Sequence, residues 1–319
     1  MDCLKANLIL PNGNNKVYMA SWYNGEIAKV YDITQYGNNT NTMLVFFWQE
    51  LINQNNGSTV YFHNFGGYDA ILSLPALLEL PFTFSPVMKD GEIISIKVTN
   101  KGKVLLTIKD SIRILPGSLA KLAKDWGATT QKDHFPHYFW KDCIERTLSY
   151  FGPIPAYEYF EPKRTSLKDY EEMKALFSNN NWSFLGVSKK YIMGDCIALY
   201  QVLVKYFETV QSKFPIDPLK IFSAPSASFR IWRTQQLPLL KNEGLKVYDL
   251  SHNLDSELRD SYCGGIVEVL DLNLKQEVIH KYDINGLYSY VRLTQDLKYP
   301  IGEPEVILNP SVSDLPKFL

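Results

Sequence analysis

The hydrophobic pattern along the chain alternates short apolar runs of strand type with longer segments of helical periodicity, which predicts an α/β protein. Residues 17–34 (VYMASWYNGEIAKVYDIT) read as two strands joined at Asn24-Gly25, a strong hairpin signal. Residues 42–53 carry apolar side chains at helical spacing and predict a buried helix. Val60, Tyr61 and Phe62 then form a short strand that stops on His63 and Asn64. Gly66 and Gly67 turn the chain, Asp69 follows, and an apolar segment (AILSLPALL) resumes. Residues 93–98 and 104–108 predict a second hairpin leading to Asp110 and Ser111 at a strand end. Ser118 is the cap of a short helix that Gly127 closes. Residues 131–165, rich in proline, aromatics and charge, read as a long surface loop, and 166–177 as a helix. The most regular helix is 188–210, with apolar residues at 192, 196, 199, 203 and 206 on one face. Tyr191 and Asp195, four apart, project from the same side of it. Pro215 and Pro218 end the pattern and predict a boundary between domains 1–214 and 215–319. A helix is expected over 227–237. Residues 277–293 (EVIHKYDINGLYSYVRL) read as a strand up to Asp283, a turn at Asn285-Gly286 and an apolar-aromatic segment.

Composition narrows the class without choosing a function. A chain of 319 residues with 45% hydrophobic and 21% charged residues has the length for two domains and a globular, not disordered, balance. No apolar run approaches the roughly 18–20 residues of a membrane helix, so no membrane partner is expected. The net charge of −1 does not announce a polyanion partner. Lys97, Lys101, Lys103 and Lys109, and separately Lys189 and Lys190, cluster in sequence and read as solvated faces. Cysteines at 3, 143, 196 and 263 form no CxxC pair, which argues against zinc or a disulfide framework and suits a reducing compartment. His134 and His137 belong to an aromatic loop. The N-terminus reads as neither a signal peptide nor an Arg-rich transit peptide.

Candidate chemistry sits where apolar elements end on carboxylates. A strand that stops on a polar turn and presents Asp69 before an apolar segment is how α/β folds display a metal ligand beside a pocket. A glycine turn with a surface aspartate is the alternative. Asp195 is either a functional carboxylate or one polar intrusion on an amphipathic helix. The two glycines of SYCGG (261–265) let backbone N–H groups approach a phosphate closely, or mark a β-bulge.

Together these stretches resemble the family B DNA polymerases, in the protein-primed branch of linear organellar plasmids and certain bacteriophages. HNFGGYD (63–69) is similar to the second exonuclease motif, with Asn64 and Asp69, and YIMGD (191–195) to the third, with Tyr191 and Asp195. DSIRILP resembles the (S/T)-L-x-x-hydrophobic motif through Ser111, and KDHF the Lys-x-x-hydrophobic motif through Lys132. YCGG, Tyr262 to Gly265, resembles the linker between exonuclease and polymerase domains, and DINGLYS (283–289) the first polymerase motif. The resemblance implies a ribonuclease-H-like 3′–5′ exonuclease domain followed by an incomplete polymerase palm.

It also implies roles. Asp2, Asp69 and Asp195 would hold Mg²⁺ or Mn²⁺ in a two-ion site, ions about 3.5–4 Å apart, with Tyr191 orienting the attacking water. Tyr61, His63, Asn64, Ser111 and Lys132 would hold a single DNA strand, joined by Tyr262, Gly264 and Gly265. In the second site Asp283 would bind the metal carrying a dNTP, and Tyr288 would press on its sugar. A terminal protein primer and a mitochondrial location follow from the same branch. The first exonuclease motif, Asp-x-Glu, is met only by Asp2-Cys3-Leu4, so Leu4 stands where a carboxylate is expected and proofreading is expected to be weak. No Asp-Thr-Asp or Lys-x3-Asn-Ser-x-Tyr-Gly follows, so the sequence reads as the N-terminal part of a polymerase, cut at both ends. A non-catalytic single-stranded-DNA-binding remnant and a free-standing exonuclease are the alternatives.

Overall fold

The Asn24-Gly25 turn forms for a local reason. Gly25 takes φ +104°, and the Asn24 side-chain oxygen accepts the N–H groups of Glu26 and Ile27. The computed structural model describes residues 2–3, 7–9, 15–130, 134–160, 165–177, 179, 181–244, 248, 250–260, 268, 280, 282–294, 303, 306–307 and 311. They fall in two units, Met1–Thr234 and Gln235–Leu319.

The strands are β1 (Asp2–Cys3), β2 (Asn7–Ile9), β3 (Asn15–Val17), β4 (Met19–Tyr23), β5 (Ala28–Asp32), β6 (Ser58–Phe62), β7 (Thr83–Lys89), β8 (Glu92–Asn100), β9 (Lys103–Asp110), β10 (Phe151–Gly152) and β11 (Trp182–Ser183). The helices are α1 (Thr40–Gln54), α2 (Ala70–Leu78), α3 (Leu119–Asp125), α4 (Ile144–Leu148), α5 (Leu167–Leu176), α6 (Phe184–Lys213), α7 (Ala224–Asn242), α8 (His252–Asp260) and α9 (Leu287–Thr294). In the first unit β1, β4 and β5 form an antiparallel sheet, and a second sheet runs β6-β9-β8-β7. Its β6–β9 pair is parallel, joined by a crossover through α2, β7 and β8, and its other pairs are antiparallel. β1 touches β6, so the two sheets meet along that seam.

Strand β6 is buried on both faces, which is why Val60, Tyr61 and Phe62 read as a continuous apolar run. Phe62 faces α1, with its ring 5.5 Å from Trp48, and Tyr61 faces α6, 5.4 Å from Phe207. Helix α1 is capped by Asn39, whose side chain accepts from the Thr42 N–H, and buries Met43, Phe47, Trp48 and Leu51. Each such side chain contributes about 1.5–3 kcal/mol through removal from water. Helix α6, capped by Ser183, packs across β1, β4 and β5.

Several elements differ from the sequence reading. The regular helix is longer than 188–210, because Ser183 caps it a turn earlier. Within 131–165, α4 and β10 form short regular pieces. Strand β7 carries no apolar alternation and contains Pro86; as the edge strand of its sheet it needs neither a buried face nor every N–H. Lys109 is not on a solvated face: it is 4% exposed, and its ammonium donates to the carbonyls of Leu219 and Ile221 and lies 4.0 Å from the Phe222 ring. Burial lowers its pKa to about 8.

The ends of the parallel pair are locked by one carboxylate. Asp110, 3% exposed at the end of β9, accepts the Asn64 N–H at 2.8 Å and the Gly66 N–H at 3.0 Å from the chain leaving β6. Its Oδ1 also accepts the Ile112 N–H at 3.1 Å. Asn64 takes a left-handed backbone (φ 70°, ψ 38°), which asparagine tolerates better than most residues. Gly66 is required by contact, since a Cβ there would stand 2.5 Å from the Ile93 carbonyl oxygen.

Two stability predictions follow from these contacts. Asp110→Asn loses the ionised acceptor and turns an amide group toward backbone N–H, and is expected to cost about 2–4 kcal/mol in urea unfolding. Unfolded Lys109 keeps its proton to about pH 10.5 whereas the folded state releases it near 8. Between those values the unfolded chain binds more protons, so stability rises with pH. Relative to Lys109→Met, the wild type is expected to gain about 1 kcal/mol between pH 7.5 and 9.5, discounted for residual solvent access. Unfolding curves at the two pH values that run parallel for both proteins would refute this.

Candidate active site

Asp69 ends a single wide turn, Phe65–Asp69, closed by the Ala70 N–H donating to the Phe65 carbonyl. Turns with this extra residue recur at functional sites. The turn is seated by Phe65, fully buried with its ring 4.8 Å from Phe62, and by the Asp110 grip on Asn64 and Gly66. Asp69 itself is half-buried.

His63 and Ser111 lie beside this turn and are joined. The Ser111 hydroxyl donates to the Phe62 carbonyl at 2.8 Å, and His63 Nδ1 is 3.0 Å from Ser111 Oγ. His63 Nε2 is 2.8 Å from the Gly117 carbonyl oxygen, which only accepts, so this nitrogen carries a proton. The structure thus brings together His63, Asn64 and Ser111. It does not present Tyr61 for base stacking. Because β6 is covered on both faces, the ring is 1% exposed against Phe207, and burial pushes its phenol pKa up.

Tyr191 and Asp195 occupy the core-facing side of α6 and are 5% and 1% exposed. A hydrophobic stripe by itself does not place a carboxylate there, because burying one is costly without compensation. The register can be traced through the next residue. Cys196 Sγ is 3.2 Å from Ser21 Oγ on β4, and Ser21 pairs with Cys3 on β1. Asp195 therefore lies on the stretch of α6 that packs over the β1–β4 pair, where the β1 backbone carries residue 2. The Tyr191 ring rests 5.0 Å from Phe135 and 5.8 Å from His137. Phe135 is the hydrophobic position of the KDHF stretch, whereas His137 and Asp110 are supporting residues to which sequence reasoning gave no role. The aromatic density of 134–139 was the available signal for His137, and a carboxylate closing a largely apolar strand for Asp110.

A loop is also fixed along α6 beyond Asp195. The Gln201 side chain accepts from the N–H groups of Thr129 (2.9 Å) and Thr130 (3.2 Å) and donates to Thr129 Oγ1 (2.8 Å). Lys205 donates to the Trp126 and Gly127 carbonyls. Lys132, like Leu4, Tyr262, Gly264 and Gly265, lies outside the described residues. In the second unit Asp283 and Tyr288 are exposed and line an open concavity of about 610 Å³ together with Gly286, Leu287 and Ser289.

Divalent cations of the Mg²⁺ class take oxygen donors, and Asp69 and Asp195 offer that chemistry. Among the described residues no group of three or more His, Cys, Asp and Glu side chains gathers in a metal-binding arrangement. No helix among the described residues is long and apolar enough to cross a membrane.

Comparison with known proteins gives the lineage. A probable DNA polymerase of Neurospora intermedia is 33% identical over 304 residues, covering 91% of this chain and 29% of that protein. One of Ascobolus immersus is 32% identical over 273 residues, covering 83% and 22%. The chain thus spans less than a third of the length of either relative. Among solved structures, phi29 DNA polymerase with primer-template DNA and incoming nucleotide aligns at a TM-score of 0.47 and 15% identity, over 79% of this chain and 37% of that one, below the level that fixes a common fold. The family model described as DNA polymerase type B, organellar and viral, matches residues 50–319. With its sequence matched to that model over most of its length, the chain belongs to the organellar and viral type B DNA polymerase family.

Proposed function

We propose that residues 1–214 form a 3′–5′ exonuclease domain and 215–319 the linker and opening of a polymerase palm, within a protein-primed DNA polymerase that acts in replication. The observation that carries this reading is Asp195: a carboxylate 1% exposed on the core side of α6, one turn from buried Tyr191, on the helix that packs against β4 and β1. Asp69, at the end of a turn gripped by Asp110, supplies the second described carboxylate.

In this reading Asp69 and Asp195 are the side chains that would hold a divalent cation, with Asp2 as the third. When bound, Mg²⁺ or Mn²⁺ would polarise the scissile phosphate and lower the pKa of a ligand water. The Tyr191 hydroxyl, its ring fixed by Phe135 and His137, would orient the attacking water. Backbone and side-chain groups of His63, Asn64 and Ser111 would hold a single-stranded 3′ end, with Lys132 neutralising phosphate. Around the concavity of the second unit, Asp283 would hold the divalent cation that carries the triphosphate of a dNTP, and Tyr288 would press on its sugar. Tyr262, Gly264 and Gly265 would follow the DNA backbone. A terminal protein primer and a mitochondrial site of action complete the proposal, supported by the organellar and viral description of the family.

A second reading, a single-strand-binding domain without nuclease activity, is favoured by Leu4 at the position of the expected carboxylate. Digestion of a 5′-labelled oligonucleotide in Mn²⁺ separates the two. Wild type is expected to shorten the strand from its 3′ end, and Asp69→Ala or Asp195→Ala to slow this at least about 100-fold. Circular dichroism on each variant checks that the fold persists. A wild type that binds the oligonucleotide but leaves it intact would hand the case to the second reading.

A further inference from the structure

Helix α7 shows its aromatic side to solvent. Its start is fixed by a reciprocal pair, in which the Ser226 N–H donates to Ser223 Oγ (3.2 Å) while Ser226 Oγ accepts the Ser223 N–H (2.9 Å). Ala227, buried, and Ile231, partly buried, are four residues apart and pack on the core of the first unit. At about 100° per residue, Phe229, Trp232 and Arg233 then lie on the opposite side, where an ordinary surface helix carries polar groups. Phe229 is 59% exposed and Trp232 39% exposed. Their rings stack on one another, 5.8 Å between centroids and 26° between planes.

Along the helix itself the charge is of one sign. Helix α7 contains no Asp or Glu, and exposed Arg230 and Arg233 alternate with the two rings in the run Phe229-Arg230-Ile231-Trp232-Arg233. In a chain of net charge −1 this is a local cationic and aromatic patch. We propose that this face of α7 is a stacking platform for single-stranded DNA, Trp232 and Phe229 receiving unpaired bases and Arg230 and Arg233 the flanking phosphates. Flat aromatic faces reward bases that are not already stacked in a duplex, and they do so with little sequence preference. Guanidinium groups pair with phosphate oxygens in a planar, two-pronged geometry. The platform lies outside the residues assigned to the exonuclease site, and stands whether or not that site is active.

The test uses the Asp69→Ala, Asp195→Ala background, so that digestion does not interfere, and fluorescence anisotropy with a labelled oligo(dT). Trp232→Leu and Phe229→Leu are each expected to weaken binding about 5- to 100-fold, the range for loss of one stacked base. Trp232→Tyr restores most of it, because a ring of similar shape stacks again. Arg233→Gln is expected to reduce the slope of log affinity against log salt by about 0.7. Oligo(dT) should quench tryptophan emission in the wild type and lose part of that quench in Trp232→Tyr, since Trp22, Trp48 and Trp182 are at most 1% exposed, Trp126 and Trp140 are half-buried, and Trp232 is the most exposed of the six. Unchanged affinity in the two leucine variants overturns the proposal. So does a dimer, seen by light scattering, that the leucine variants dissociate without any change in oligonucleotide affinity.

Discussion

A single buried carboxylate, Asp110, holds the ends of two parallel strands in register. It accepts backbone N–H groups from both sides of the gap between β6 and β9, at Asn64, Gly66 and Ile112. Where parallel strands end side by side, the departing chains leave N–H groups with no ladder partner, and a carboxylate with two oxygens can satisfy several at once. Charge-assisted bonds of this kind are shorter and stronger than neutral ones. The wide turn carrying Asp69 and the His63–Ser111 pair both spring from these strand ends, so their geometry depends on this one group.

Helix α6 is the second organising element, and it works by offering different residues to different neighbours. Its early turns place Tyr191 under Phe135 and His137, its middle seats Cys196 on Ser21, and its later turns use Gln201 and Lys205 to hold the 126–130 segment. Residues distant in sequence are thereby referred to one rigid rod. Side chains built on a helix are held more closely than side chains on free loops.

The aromatic and basic face of α7 obeys a different rule. Its inner side, Ala227 and Ile231, packs on the core, while its larger rings Phe229 and Trp232 are exposed. Hydrophobic side chains scattered singly on a surface need no explanation, but a stacked pair flanked by guanidinium groups forms a defined surface. Lys109 anchors the segment that leads into the helix through the carbonyls of Leu219 and Ile221.

Local chemistry made much of this protein legible in one dimension. The Asn24-Gly25 hairpin, the Asn-, Ser- and Gly-bounded helices and the run of α6 are set by turn residues, caps and hydrophobic period, which act within a few residues and so are written in the sequence. The juxtaposition of His63, Asn64 and Ser111 was legible only through motif resemblance, since nothing local links residue 63 to residue 111. Folding alone decided which polar residues were buried and why. Lys109 reads as one of a lysine cluster, yet it is enclosed because β9 is a central strand and the chain at 219–222 folds back over it. Tyr61 reads as a candidate stacking ring, yet it is sealed because α6 covers the face of β6 to which the two-residue period of a strand assigns it. Burial is a sum over contacts from remote segments, and no window of neighbouring residues contains that sum.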